Sequence, residues 1–198
     1  MRRTLVLASS AVWRGELLAQ LQVPFEQASP QLDESPWMAR NLPPKELTEQ
    51  LARAKARALS DRFPAALLLG ADQVVDCDGQ VLGKPGSTEA ARAQLKLLAG
   101  REHRLVTGLC LWDPLNNREF STSVTRTMTM RKLTSAEIAD YVQRDSPEQC
   151  AGSYRIESLG IALFASIDGD SSGVVGLPLI EVTNLLRRAG LPVLKRDS

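Results

Sequence analysis

Histidine occurs once in these 198 residues, at His103, cysteine occurs three times, and aromatic residues make up only 5% of the chain. Each scarcity removes a chemistry. A Ser-His or Cys-His nucleophilic centre would have to use His103, which lies in the strand-like HRLVTGLCLW with no acidic partner evident in sequence. Histidine-rich zinc sites are excluded. Cys77, Cys110 and Cys150 are odd in number, widely spaced and without a C-x-x-C, so they read as buried or incidental thiols in a reducing compartment. Net charge is only +1, which argues against a nucleic-acid polymer as partner while leaving room for a local basic pocket. The longest apolar run, PAALLLGA, falls far short of the ~20 residues that span a bilayer. MRRTLVLASS has too few apolar residues for a signal-peptide core. The expectation is a cytoplasmic protein with no membrane partner.

Hydrophobic residues at 43% and charged residues at 24% suit one soluble domain, or two small lobes sharing a core. Arg3 to Ala8 reads as a buried strand, with Ser9 or Ser10 capping a helix whose stripe is Leu17, Leu18 and Leu21. VPFEQASPQLDESPWMARNLPP reads mostly as loop, with a strand at Pro24 to Ala28. Pro43 and Pro44 open a helix to about Arg62 with Leu47, Leu51, Ala54 and Ala58 on one face. AALLLGA is a buried strand leading to a type I′ hairpin at Asp78-Gly79. Ser87 or Thr88 caps a helix through Ala91, Leu95 and Leu98 that Gly100 stops. Strands at 103–112 and 118–130 flank the turn DPLNN; on the second, Phe120, Thr122, Val124, Arg126, Met128 and Met130 share a face. Thr134 and Glu137 form a capping box for a helix to about Arg144. A strand near Gly160 to Ile167, a Gly/Ser loop at 169–176, a helix from Pro178 to Ala189 and a frayed LKRDS complete the chain. The fold class is α/β, with a mixed, bent sheet, flanking helices and two lobes around a cleft.

With histidine and cysteine set aside, carboxylates, lysines and an oxygen-ligated metal are left to carry any catalysis. Asp72 follows LLLGA, which puts a carboxylate at the C-terminal end of an apolar strand, where α/β sheets commonly bind ligands. The alternative is a carboxylate bonded to a neighbouring turn. Asp33-Glu34 sits in a loop and reads either as a solvated acidic turn or as a second carboxylate source. Lys84, between Gly83 and Pro85, is pinned in a turn, either exposed or holding phosphate. Lys55 shares the arc of Leu51 and Leu59, so it either snorkels to water or points into a polar cleft. Arg14 lies at a helix start, where exposed amides favour anions, although a surface salt bridge explains it equally well. Together these residues form an inventory for metal-assisted hydrolysis of a polyphosphate.

LASSAVWR, DESP, LARAKA, GADQVV, GKP and CAGSYRIE, taken in order over nearly the whole chain, resemble the Maf family of nucleoside triphosphate pyrophosphatases. The resemblance implies one interleaved domain over 1–198, related in fold to the inosine-triphosphate pyrophosphatase type. It implies cleavage between the α and β phosphates of a free nucleotide with a divalent cation, Mg or Mn, and leaves a homodimer open. By the family pattern Asp72 accepts the proton from water, Ser9, Arg14, Lys55 and Lys84 engage phosphates, and Glu34 with Asp72 serves the metal. Trp13, Gln73 and Glu157 stand where the family divides by base and look like the branch preferring 7-methyl-GTP. An indole face stacks on a cationic base for ~0.5–2 kcal/mol, and Glu157 can accept from the N1–H and N2–H₂ edge of guanine. A helix-packing Trp13 and a surface Glu157 are the plainer readings. Ala11, Val12 and Gly15 replace the usual Ser, Pro and second Arg, and Ser158 replaces a common Gly. The alternatives to a 7-methyl-GTP enzyme are a dTTP/UTP pyrophosphatase and a nucleotide-binding cell-division regulator with little turnover.

Overall fold

The computed structural model describes residues 3–194. The fold is α/β, with helices flanking one mixed sheet. Its strands are β1 (Leu5–Ala8), β2 (Phe25–Ala28), β3 (Leu67–Cys77), β4 (Gln80–Leu82), β5 (Glu102–Asp113), β6 (Arg118–Met130) and β7 (Phe164–Ile167). The strand order is β2-β1-β3-β5-β6-β7, with β4 paired to β3. β1 is parallel to both β2 and β3, while β4 on β3 and β7 on β6 are antiparallel. The helices are α1 (Val12–Ala19), α2 (Ser35–Met38), α3 (Pro44–Arg57), α4 (Thr88–Leu98), α5 (Ser135–Asp145), α6 (Ser171–Val175) and α7 (Leu179–Arg188). By contacts the chain divides into two compact units, 1–73 with 107–124 and 175–198, and 74–106 with 125–174. The divisions fall inside β3, β5, β6 and α6.

In the first unit strand parity sorts the core. Leu5, Leu7, Leu67, Leu69, Leu109 and Leu111 pack with Leu17 and Leu18 of α1 and Val182, Leu185 and Leu186 of α7. The alternate residues Val6, Ala8, Leu68, Cys110 and Trp112 pack with Ala52, Ala56 and Leu59. Strands covered on both faces carry no polar alternation, which is why LVLA and LLLGA read as continuous apolar runs. Gly70 and Gly108 lie on the α3 face. A Cβ on Gly70 would strike the Ala52 carbonyl, and one on Gly108 the Thr48 carbonyl. The two glycines let α3 seat against the strands.

The second unit closes over Val75, Leu95, Leu98, Leu105, Met128, Met130, Ile138, Tyr141 and Val142, which joins α4 and α5 to the strands. Ser87 Oγ accepts the Ala90 N–H, and Thr134 with Glu137 forms the expected capping box. Asp78 and Gly79 both have positive φ, 52° and 86°, as a type I′ turn requires.

His103 lies in this unit, 2% exposed, with Nε2 3.1 Å from Tyr154 Oη and its ring near those of Tyr154 and Phe164. Burial pulls its pKa down to about 4. The unfolded chain, with an ordinary histidine near ~6.5, takes up a proton that the folded state refuses. Stability is therefore expected to fall as pH drops from about 6.5 to about 4. Urea midpoints across that window test this. His103→Phe should flatten the slope, and an equal slope in both proteins would refute the assignment.

Several local expectations are corrected. The N-cap of α1 is Ala11, not Ser9 or Ser10, and no side chain caps it. Ser9 Oγ instead accepts the Ala11 N–H at 3.1 Å, forming a turn ahead of the helix. α3 ends at Arg57 and continues as turns to 62. Its buried face is Leu47, Thr48, Leu51, Ala52, Lys55 and Ala56, rotated away from Ala54 and Ala58 because the glycine-lined strands receive the 48/52/56 ridge. Ser35–Met38 is a short helix inside the expected loop. Leu159–Leu163 is a 3₁₀ turn, so the expected strand from Gly160 begins only at Phe164. Part of the 169–176 loop is α6, where Asp170 Oδ1 accepts from Gly173 N–H and Ser172 Oγ. Of the expected tail LKRDS, residues 195–198 lie outside the described residues. No disulfide joins the described cysteines, with Cys77 and Cys110 buried. No helix among the described residues is long and apolar enough to cross a membrane.

Candidate active site

Asp72 has the parity of Leu68 and Gly70, so β3 presents it to α3, where Lys55 lies one turn beyond Leu51. Lys55 Nζ is 2.6 Å from Asp72 Oδ1 and 2.8 Å from Glu34 Oε1. Lys55 is 8% exposed and Asp72 6%. Neither the snorkelling lysine nor the turn-bonded aspartate describes these residues. Asp33, by contrast, is the plain turn acid, its Oδ1 accepting the Ser35 N–H and Oγ–H.

Burial pushes the Asp72 carboxyl up from the ordinary range, against the pull of Lys55 and, more weakly, Arg14. A carboxylate raised in this way is a better proton acceptor than one at the surface. Arg14 approaches from the other face of β3. Its Nη1 donates to Ala71 O at 3.2 Å and its Nε to Gly176 O at 3.1 Å, so it is held by backbone rather than by a surface salt bridge. Burial lowers the Arg14 pKa while the charges of Asp72 and Glu34 raise it. A guanidinium remains charged in such a setting.

Trp13, in the first turn of α1, is 46% exposed. Nearly half of its surface is left uncovered by the fold. Ser9 is buried at the end of β1. Gln73 Nε2 donates to the hydroxyl of buried Thr107 at 2.9 Å. Gly176, at φ +120°, leaves space beside the Gln73 amide that a side chain would enter. The first unit brings together Arg14, Glu34, Lys55, Asp72 and Gln73, and it also carries Ser9 and Trp13. Lys84 and Glu157 belong to the second unit, where both are exposed. Both charges act on the Cys150 thiol, which burial and then Glu157 push up while Arg155 and Lys84 pull it down.

Three further residues shape the site without having stood out in sequence. Gln27 Nε2 donates to Ser9 O at 3.0 Å and Ala11 O at 2.9 Å, fixing the turn before α1. Its Oε1 occupies the space that a Cβ on residue 15 would need, so Gly15 and Gln27 fit as a pair. Thr107 holds the Gln73 amide, and Gly176 supplies the carbonyl for Arg14. GLP at 176–178 was the available sign for the last. Gln27 and Thr107 give no local signal.

Among the described residues, no group of three or more His, Cys, Asp and Glu is arranged to hold a metal ion. Two carboxylates do converge, on the Lys55 ammonium, and both are hard oxygen donors. That pair fits a small divalent ion of the kind bound through one or two carboxylates plus substrate phosphates, rather than by an all-protein cage.

The strand end expected at Asp72 is corrected: β3 pairs with β1 only as far as Gly70 but runs on to Cys77, so Asp72 lies within the strand. A mixed sheet flanked by helices, with a buried Lys–Asp pair on β3 and an arginine beside it, defines the α/β class of this protein. The family model described as "Maf: Maf-like protein" matches residues 4–189, and the chain belongs to that family. It is 45% identical over 192 residues to a Nitrosococcus oceani protein named "7-methyl-GTP pyrophosphatase", covering 96% of each chain. Proteins of the same name from Syntrophotalea carbinolica and Chromohalobacter salexigens are 41% and 42% identical, covering 97% and 94% of this chain and 98% and 96% of theirs.

Proposed function

We propose that this chain is a cytoplasmic pyrophosphatase that hydrolyses 7-methyl-GTP to 7-methyl-GMP and pyrophosphate. The observation that carries the reading is the buried Asp72 carboxylate, raised in pKa and gripped by Lys55. Membership of the family and the shared name of the relatives support it. Asp72 takes a proton from the attacking water as its oxygen bonds to the α-phosphorus. The bond from that phosphorus to the bridging oxygen breaks, and pyrophosphate leaves with the electron pair. Ser9, Arg14, Lys55 and Lys84 hold phosphate oxygens, and the cations stabilise charge that grows on the leaving group. Glu34 and Asp72 would hold Mg²⁺ or Mn²⁺, which when bound offsets phosphate charge.

Base preference is assigned to Trp13, Gln73 and Glu157. Trp13 offers an exposed indole face to the cationic methylated ring, and Glu157 accepts from the donor edge of guanine. Pyrophosphate release from a panel of 7-methyl-GTP, GTP, dTTP and UTP, with each metal, tests the proposal. 7-Methyl-GTP should give the highest kcat/KM. Trp13→Ala should reduce its advantage over GTP by about tenfold, the upper part of a cation–π contact. A preference for dTTP or UTP would assign the chain to the other branch. Binding without turnover would make it a nucleotide-binding regulator.

A further inference from the structure

The segment that carries Glu157 is tied at both ends to α5. Tyr141 Oη accepts the Arg155 N–H at 3.0 Å. One helical turn on, Asp145 Oδ1 accepts from Ser158 Oγ at 2.6 Å. Arg155 Nη1 donates to Asp145 O at 3.4 Å and lies 3.8 Å from the same Oδ1. The Ser158 N–H closes a turn on Arg155 O at 3.1 Å, and a Cβ on Gly160 would strike that carbonyl. Asp145 and Tyr141 are buried, at 6% and 3%. Glu157 projects from this turn, its side chain 40% exposed with Oε1 3.7 Å from Nε of Arg155, which is 42% exposed. Ser158 has φ −130°, so a glycine is not required there for backbone reasons. Its hydroxyl is instead a second strut.

We propose that Asp145, acting through Ser158 and Arg155, is the positioning residue for Glu157 and so sets selectivity for a guanine-type base over a pyrimidine. A carboxylate that recognises paired N–H donors gives strong discrimination only if its direction is fixed before the base arrives. Arg155 and Ser158 share one buried carboxylate, and Glu157 is the exposed one of the two residues between them. Arg155 adds a counter-charge, its Nε 3.7 Å from Glu157 Oε1. The inference rests on the reading of Glu157 as the base contact, and the experiment separates the two.

The measurement is the ratio of kcat/KM for 7-methyl-GTP to that for UTP in Ser158→Ala, Ser158→Thr, Glu157→Gln and the double variant Ser158→Ala/Glu157→Gln. Ser158→Ala should lower the ratio about tenfold through the KM for 7-methyl-GTP, the scale of a lost hydrogen bond to a charged group. UTP hydrolysis should stay unchanged, while the thermal midpoint falls in Ser158→Ala and recovers in Ser158→Thr, because the buried Asp145 carboxylate loses and regains a partner. Ser158→Thr keeps the hydroxyl and should restore the ratio. Asp145→Asn removes the charge facing Arg155 and should also lower it. In the Glu157→Gln background, Ser158→Ala should add nothing. If Glu157→Gln leaves the ratio unchanged, the base-contact reading fails and the inference with it. If Glu157→Gln lowers the ratio but Ser158→Ala does not, only the positioning role is overturned. The same holds if Ser158→Ala slows both substrates equally, or is equally harmful with Gln at 157.

Discussion

Asp72→Asn is expected to lower kcat for 7-methyl-GTP by about 10²–10⁴ fold, the range supplied by a positioned proton acceptor. The amide is isosteric and can still face Lys55, so the protein should fold with a near-native circular dichroism spectrum. What disappears is a site for the proton of water. The native pH–rate profile should carry the same signature. Burial holds the Asp72 carboxyl above the ordinary range near ~4, so the acid limb of kcat/KM should lie higher than an exposed aspartate would place it. Loss of that limb in Asp72→Asn, with whatever residual rate remains, would identify its source. Full turnover by the folded variant would refute the role given to Asp72.

Lys55→Met should have the largest effect on stability. The lysine and Asp72 side chains are only 10% and 9% exposed, so truncating one strands the other in a place that water reaches poorly. Breaking a buried pair in this way costs about 3–5 kcal/mol. Glu34, half-exposed, can turn to water, but Asp72 cannot. Without the ammonium the Asp72 carboxyl rises further and protonates. A group whose folded pKa is raised contributes stability at low pH that is lost as pH rises through that pKa. The deficit of Lys55→Met should therefore be smaller at pH 5 than at pH 8 in urea melts. The double variant Lys55→Met/Asp72→Asn should recover much of the stability and none of the turnover. Equal midpoints for native protein and Lys55→Met would mean that the pair contributes nothing to the fold.

Much of this site was legible because it depends on periodicity and chain ends. Asp72 follows an apolar run that reads as a strand end, yet β3 continues through it to Cys77; Lys55 falls on the arc of Leu51. Arg14 and Trp13 follow a strand with a helix pattern after them. The capping box and Asp78-Gly79 are local chemistry and appear as read. Where the reading failed, distant packing decided the outcome. The buried face of α3 is rotated because Gly70 and Gly108, 38 positions apart, open a groove for its backbone. Ser9 does not cap α1 because Gln27, from the next strand, takes the turn in hand. LGIAL is apolar enough for a strand, yet the close approach of Gly160 to Arg155 folds it into a 3₁₀ turn. None of these partners is adjacent in sequence, so no window of residues contains both halves of the cause.

The threading of the first unit has a consequence for how the protein is made. Leu5 of the first strand and Leu185 of the last helix share one core, and Arg14 closes onto the carbonyl of Gly176. A ribosome releasing the chain N-terminus first has already made Leu5, Leu17 and Leu69 long before the helix that packs on them exists. Unit 1 cannot complete its packing until α7 emerges, so the nascent chain must wait with much of that leucine core uncovered. Chains that end before α7 should accordingly be substrates for chaperones and proteases rather than slow enzymes.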